Sequence, residues 1–124
     1  MFRALSVAAI ATILLVFATF QAVAEKRVAL VIGNSDYSNV PALENPANDS
    51  ADFASALERL GFEVETVSDQ SYSDMRKGLR NFRSRVAGAD IAVVYYAGHG
   101  IEVDKQNYLI PTDAALASDG DVDY

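Results

Sequence analysis

The chain holds one histidine and no cysteine. That histidine, His99, stands between Gly98 and Gly100, directly after the apolar run Ile91 to Ala97 (IAVVYYA). Imidazole changes charge close to neutral pH, so it can act as a general acid or base wherever a cleft presents it. A lone histidine is more often structural, and its setting must argue for chemistry. Here glycines flank it: they permit a sharp exit from a strand and bring backbone N–H groups close to a substrate oxygen. A second polar set, Asn34-Ser35-Asp36-Tyr37, follows Gly33 at the end of the apolar run Val28 to Ile32 (VALVI). Asn34, Asp36 and Tyr37 are candidates for lining the same cleft, although turns that end strands are commonly built from such residues. Tyr95 and Tyr96 read as sheet-packing aromatics, one phenol of which could reach the cleft.

Weaker signals resolve to ordinary roles. Arg76, Arg80 and Arg83 align at helical spacing and read as a solvated basic face. Asp113, Asp119, Asp121 and Asp123 do not match the spacing of a compact calcium loop, and the sequence calls for no metal or cofactor. Ser118 reads as a solvated loop residue.

The elements that must position His99 follow from the hydrophobic pattern. Val28 to Ile32 and Ile91 to Ala97 are continuous apolar runs, which predict strands buried on both faces. Phe62 to Val67 (FEVETV) alternates, with Phe62, Val64 and Thr66 on one side and Glu63 and Glu65 on the other, and predicts a half-exposed edge strand. Two helical stripes lie between the strands. Phe53, Leu57 and Leu60 form the first, with Asp49 as N-cap, Asp52 in the capping-box position and Gly61 at the end. Met75, Leu79, Phe82 and Val86 form the second, capped by Ser73 and ended by Gly88. Strand, helix, strand, helix, strand is two consecutive crossover units, hence α/β with a mainly parallel sheet. The alternating strand belongs at an edge, which gives the spatial order second, first, third, and right-handed crossovers place one helix on each face. Beyond Gly100, Ile101 to Val103 and Tyr108 to Ile110 flank residues 104–107 and predict a small hairpin or a bent loop, ended by Pro111. In such a sheet ligands bind beyond the carboxyl ends of the strands where the order reverses, between the first and third strands. Those two strands deliver Asn34-Ser35-Asp36-Tyr37 and Gly98-His99-Gly100 to that point.

The first 24 residues form a separate unit. Arg3 is their only charge, Ala4 to Phe20 is nearly unbroken apolar sequence, and Ala22-Val23-Ala24 precedes Glu25. This is the layout of a secretory signal peptide cut after Ala24, so residues 25–124 are expected in the periplasm or outside the cell, without a stable membrane anchor. Once Arg3 is gone, 9 basic and 17 acidic residues remain, a net charge of −8. Nucleic acid and anionic membranes are excluded as natural partners. The absence of cysteine denies a small exported fold any disulfide and, more important for function, denies it a thiol nucleophile.

Several segments together resemble the bacterial caspase-like and metacaspase-like peptidases: Arg27 to Asn34 (RVALVIGN), Leu43 to Asp49 (LENPAND), Leu60-Gly61-Phe62, Tyr95 to Gly100 (YYAGHG) and Asn107 to Asp113 (NYLIPTD). The resemblance spans nearly all of residues 25–124. It implies a three-layer αβα caspase-like fold and action on a peptide or protein substrate. It also implies that His99 is the catalytic histidine, assisting a cysteine thiolate, and that Gly100 supplies a backbone N–H to the oxyanion hole. In such proteins the cysteine follows on the next strand after an Asp-x-Cys-like motif, and some metacaspase-like members use calcium. These 124 residues contain no such motif. The expectation is a caspase-like domain cut off before its nucleophile strand and inactive by itself. The alternative is a catalytically dead binding or regulatory module of the same fold. A flavodoxin-like or dinucleotide-binding domain is disfavoured, because Val31-Ile32-Gly33-Asn34-Ser35 lacks the G-x-G-x-x-G series and no phosphate-loop lysine follows. With no fourth strand, the Ile91 to Ala97 edge is expected to self-associate.

Overall fold

The structure is a computed structural model and describes residues 24–115. β1 (Arg27–Gly33), β2 (Glu63–Ser68) and β3 (Ile91–Ala97) form a parallel sheet in the order β2-β1-β3, with Val28 opposite Glu63 on one side and Ala92 on the other. Two helices complete the crossovers, α1 (Pro46–Arg59) after β1 and α2 (Tyr72–Val86) after β2. A second sheet is the antiparallel hairpin β4 (Gly100–Val103) and β5 (Gln106–Leu109). Its two-residue turn places Asp104 and Lys105 at φ 49° and 66°, the twin positive angles of the turn that matches strand twist. Strand order, crossover helices and hairpin agree with the pattern read from sequence.

β1 is the centre of the molecule because both its faces are covered. Val28, Leu30 and Ile32 pack with Phe82 of α2, while Ala29 and Val31 pack with Ala54 and Leu57 of α1. The period of two in the strand thus distributes its apolar side chains between two helices, one on each face. The α1 crossing is close: a Cβ on Gly33 would lie 2.4 Å from Ser50 Oγ and 2.8 Å from Pro46 O.

Four details depart from the sequence expectations. α1 begins at Pro46, not beyond Asp49, and its N-cap Asn45 makes no side-chain capping bond. Proline at the first helical position has φ already set and no N–H to lose, so it can open the helix ahead of any polar cap. The buried face of α1 is Ser50, Ala54 and Leu57, while Phe53 and Leu60 are exposed, since the tight contact with Gly33 demands small residues there. Phe53 instead stacks on Tyr95, ring centroids 4.0 Å apart. α2 is capped by Ser71, whose Oγ accepts from Asp74 N–H at 3.2 Å, and its first turn also donates from Tyr72 N–H to Asp113 Oδ1 at 2.8 Å. Leu79 of the expected stripe is exposed.

The largest departure concerns β3. Its apolar run predicts burial on both faces, yet Ile91, Ala92 and Val94 are exposed and Val94 is 50% accessible. Among the described residues β3 pairs with β1 only, so its outer edge lies open and neither helix reaches over Val94.

Candidate functional site

The parallel ladder runs one residue past β1, where Asn34 N–H donates to Ala97 O at 2.8 Å, and there the two polar loops meet. His99 leaves β3 half-buried. Its Nε2 lies 2.9 Å from the carbonyl oxygen of Pro41, in the loop between β1 and α1. A carbonyl only accepts, so Nε2 carries the hydrogen, and in the neutral ring Nδ1 is the nitrogen with a free lone pair. The Tyr37 ring packs edge-on against the imidazole at 4.6 Å and 66°. The imidazole is therefore oriented by one backbone carbonyl and one aromatic ring.

The backbone around His99 is held as firmly as the side chain. His99 N–H donates to the Tyr37 hydroxyl at 2.8 Å. His99 O accepts from the Tyr96 hydroxyl at 2.8 Å and from Ile110 N–H at 3.0 Å. The two phenol oxygens are 3.0 Å apart, and both lie within reach of Ile110 O, at 2.8 Å from Tyr96 and 3.3 Å from Tyr37. Burial, and next its hydrogen bond with Tyr37, push the Tyr96 phenol well above its ordinary pKa, so it stays a donor. A Cβ on Gly98 would sit 2.5 Å from each hydroxyl oxygen, so glycine before His99 makes the room that the phenols occupy. Because Ile110 N–H bonds to His99 O, the facing residues Gly100 and Leu109 form a non-hydrogen-bonded pair. In such a pair the N–H points away from the partner strand, which directs Gly100 N–H outward from β5.

Of the residues expected to line the cleft, Tyr37 is brought onto His99 and is itself buried. Asn34 is fully buried at 0% exposure and spends its amide inside: Oδ1 accepts from Gln70 N–H at 2.9 Å, and Nδ2 faces Ile110 O at 3.4 Å. Asp36 is exposed, and its N–H, like that of Ser35, is tied to the Asp69 carboxylate on the β2 side of the sheet, at 2.9 and 2.8 Å. The NYLIPTD segment supplies Ile110 to the phenols, Thr112 O to Ser38 N–H and Asp113 to α2, and so clasps both polar loops.

Beside Gly98, at the carboxyl end of β3 and the amino end of α1, lies an open cleft of about 390 Å³. Leu43, Glu44, Asn45, Pro46 and Asp49 line one side, and Tyr95 to Gly98 the other. It carries two carboxylates and no lysine or arginine. Pro41, Glu44 and Asp49 as site residues were not anticipated from sequence. The Pro41 contribution is a backbone oxygen, which no residue type announces, whereas the acids lie inside the LENPAND motif and the motif could have directed attention to them. Asp113 belongs to a helix start, and Ser118, Asp119, Asp121 and Asp123 lie outside the described residues, as do residues 1–23 of the leader. Among the described residues no helix is long and apolar enough to cross a membrane.

A caspase-domain family model matches residues 26–122. The human protein named mucosa-associated lymphoid tissue lymphoma translocation protein 1 is 33% identical over 96 residues, which is 77% of this chain and 12% of that protein. Its mouse homologue is 32% identical over the same length, with the same coverage. The chain thus spans 12% of the length of the curated relatives it matches.

Proposed function

Taking as premise that the chain belongs to the caspase-domain family, we propose that residues 25–124 are the histidine-bearing part of a cysteine-type endopeptidase. The observation that carries this is His99 at the mouth of the sheet, with Nε2 committed to Pro41 O and Nδ1 left as the base. In the proposed reaction Nδ1 takes the thiol proton, the thiolate adds to the peptide carbonyl, and Gly100 N–H donates to the oxygen that becomes negative. Collapse of that adduct expels the amine, which receives the proton from the imidazolium, and water then releases the acyl group by the same steps. The thiol must be supplied from outside these 124 residues, because they contain no cysteine. Glu44 and Asp49 in the cleft favour substrates with a basic side chain near the cut bond. Asp36 is the solvent-facing member of the polar loop and fits a substrate contact, while the buried Asn34 and Tyr37 bond to Ala97 O and the Tyr96 hydroxyl, two residues of the cleft lining. Residues 1–24 are assigned to export and removal, with the protein acting in the periplasm or outside the cell.

A second reading has one observation in its favour. Lacking a thiol, the 124 residues can serve as a binding or regulatory module of caspase fold. The test is made on protein recovered from its native source and exposed to a thiol-directed covalent peptide with a basic residue at its reactive end. The expected result is labelling of a cysteine outside residues 1–124, and a fall in turnover of about 10² to 10⁴ on His99→Ala. No labelling and no dependence on His99 would leave the binding module as the answer. Amino-terminal analysis of the same material checks the leader, with Glu25 expected as the first residue.

A further inference from the structure

We propose that Tyr37 and Tyr96 are positioning residues that set the two peptide planes on either side of His99, and that Tyr96 thereby aims the Gly100 N–H at the substrate oxygen. The proposal rests on the peptidase reading and concerns how its site is assembled. The plane between Gly98 and His99 is set by Tyr37, whose hydroxyl accepts the His99 N–H at 2.8 Å. The plane between His99 and Gly100 holds two groups at once, the His99 carbonyl and the Gly100 N–H. In a planar trans peptide these point in opposite directions, and no peptide bond among the described residues is cis. The carbonyl is drawn inward by two donors, the Tyr96 hydroxyl at 2.8 Å and Ile110 N–H at 3.0 Å. Pinning it inward turns the Gly100 N–H outward.

Proton counting supports this assignment. Each phenol has a single hydrogen. Tyr37 accepts from His99 and has Ile110 O and the Tyr96 oxygen as outlets for its own proton, at 3.3 and 3.0 Å. Asn34 Nδ2 also approaches Ile110 O, at 3.4 Å. Ile110 O lies as close to the Tyr96 oxygen as His99 O does, at 2.8 Å, but Tyr37 and Asn34 can serve Ile110 O, which leaves the single Tyr96 hydrogen for His99 O. A side chain at position 98 would collide with both hydroxyls at 2.5 Å, so the glycine before His99 is the space this device requires. Preorganised donors of this kind cost no reorientation when charge develops on the substrate.

The test needs no nucleophile and is made on the chain labelled with carbon-13 and nitrogen-15. Tyr96→Phe should move the His99 carbonyl carbon and the Gly100 amide nitrogen, while amide signals of Ala29 and Val31 in the core stay in place. Tyr37→Phe should leave the Gly100 signal near its original position and speed exchange of the His99 amide hydrogen by about tenfold, the scale of one lost hydrogen bond. In the unsubstituted chain the Tyr96 hydroxyl proton should appear as a separate resonance with cross-relaxation to the His99 backbone, a readout independent of any variant. An unmoved Gly100 nitrogen in Tyr96→Phe, or a hydroxyl proton without that cross-relaxation, overturns the proposal. Failure of the peptidase reading looks different: the spectral shifts persist, and turnover of native protein ignores His99→Ala.

Discussion

Replacing Gly98 by alanine adds one methyl group at the most crowded point of the site. The new carbon would lie 2.5 Å from the Tyr37 and Tyr96 oxygens and 2.7 Å from Tyr96 Cζ, where ordinary contact begins at about 3.4 Å. Neither phenol is a free end that can swing aside, because Tyr37 accepts from His99 N–H and Tyr96 donates to His99 O, with Ile110 O also 2.8 Å from its oxygen. Overpacking of this sort costs about 1–3 kcal/mol, and each hydrogen bond broken to relieve it adds about 0.5–1.5 kcal/mol. A loss of about 2–5 kcal/mol is expected, against a whole-domain margin of about 5–15 kcal/mol. At about 4–8 °C per kcal/mol for a domain of this size, the melting temperature should fall by about 8 °C or more. Gly78→Ala is the matched control: Gly78 lies within α2 and a Cβ there meets nothing within 4 Å. The same substitution should raise stability there by about 0.5–1 kcal/mol, since alanine loses less backbone entropy in a helix. Thermal and urea unfolding followed by helical circular dichroism measures both. Adding Tyr37→Phe and Tyr96→Phe to Gly98→Ala removes the two oxygen contacts but keeps the Tyr96 Cζ contact, so recovery should be partial. A Gly98→Ala protein within about 0.5 kcal/mol of the parent would refute the packing argument.

Alkaline stability follows from Tyr96, whose phenol is raised above its ordinary value of 10.0 by burial first and by Tyr37 second. The unfolded chain releases that proton near pH 10 while the folded chain keeps it, so stability is full below that pH and falls above it. Tyr96→Phe should flatten this decline, which can reach about 1.4 kcal/mol per pH unit, in urea unfolding on either side of pH 10. Ser71→Ala deletes the acceptor for Asp74 N–H and should cost about 1 kcal/mol by the same assay, while Ser73→Ala should cost much less. The parent chain is expected to self-associate through β3, and Val94→Lys, which puts a charge on the exposed face of that strand, should suppress the association in sedimentation at several concentrations.

The fold was legible where the signal is local. Alternation in FEVETV marked an edge strand, VALVI marked a strand covered twice, and the two stripes between them supplied the covering helices. The misreadings of burial share one cause, that a pattern states what a segment needs without stating what meets it. IAVVYYA asks for cover on both sides, but the described residues place only β1 beside it, and Val94 stays exposed. Phe53 carries the helical period as well as Leu57 does. It is instead exposed and stacked on Tyr95 of β3, while Ser50 takes the close contact with Gly33, pairings between residues far apart in sequence.

At the site the same division holds between side-chain types and backbone atoms. GHG marked His99, and the strand order placed it opposite Asn34 to Tyr37. What orients the imidazole is a carbonyl of Pro41, and what orients its peptide planes are two hydroxyls whose partners are also main chain. Every residue except proline offers the same N–H and C=O, so nothing in a one-letter string distinguishes the useful ones. Their geometry nonetheless restricts the direction from which a nucleophile can reach His99. β1 occupies the inner side of β3, the loop through Pro41 takes Nε2, and the Tyr37 ring lies against the imidazole. Among the described residues, the side left open is the outer edge of β3, where Val94 is exposed and the acidic cleft begins at Gly98. A strand added at that edge would pair with the free backbone of β3, cover its apolar residues and carry its own carboxyl end to the level of His99. Under the proposed peptidase reading, the demand for cover and the demand for a thiol would be met by one segment, and parallel pairing with β3 would bring the thiol toward Nδ1.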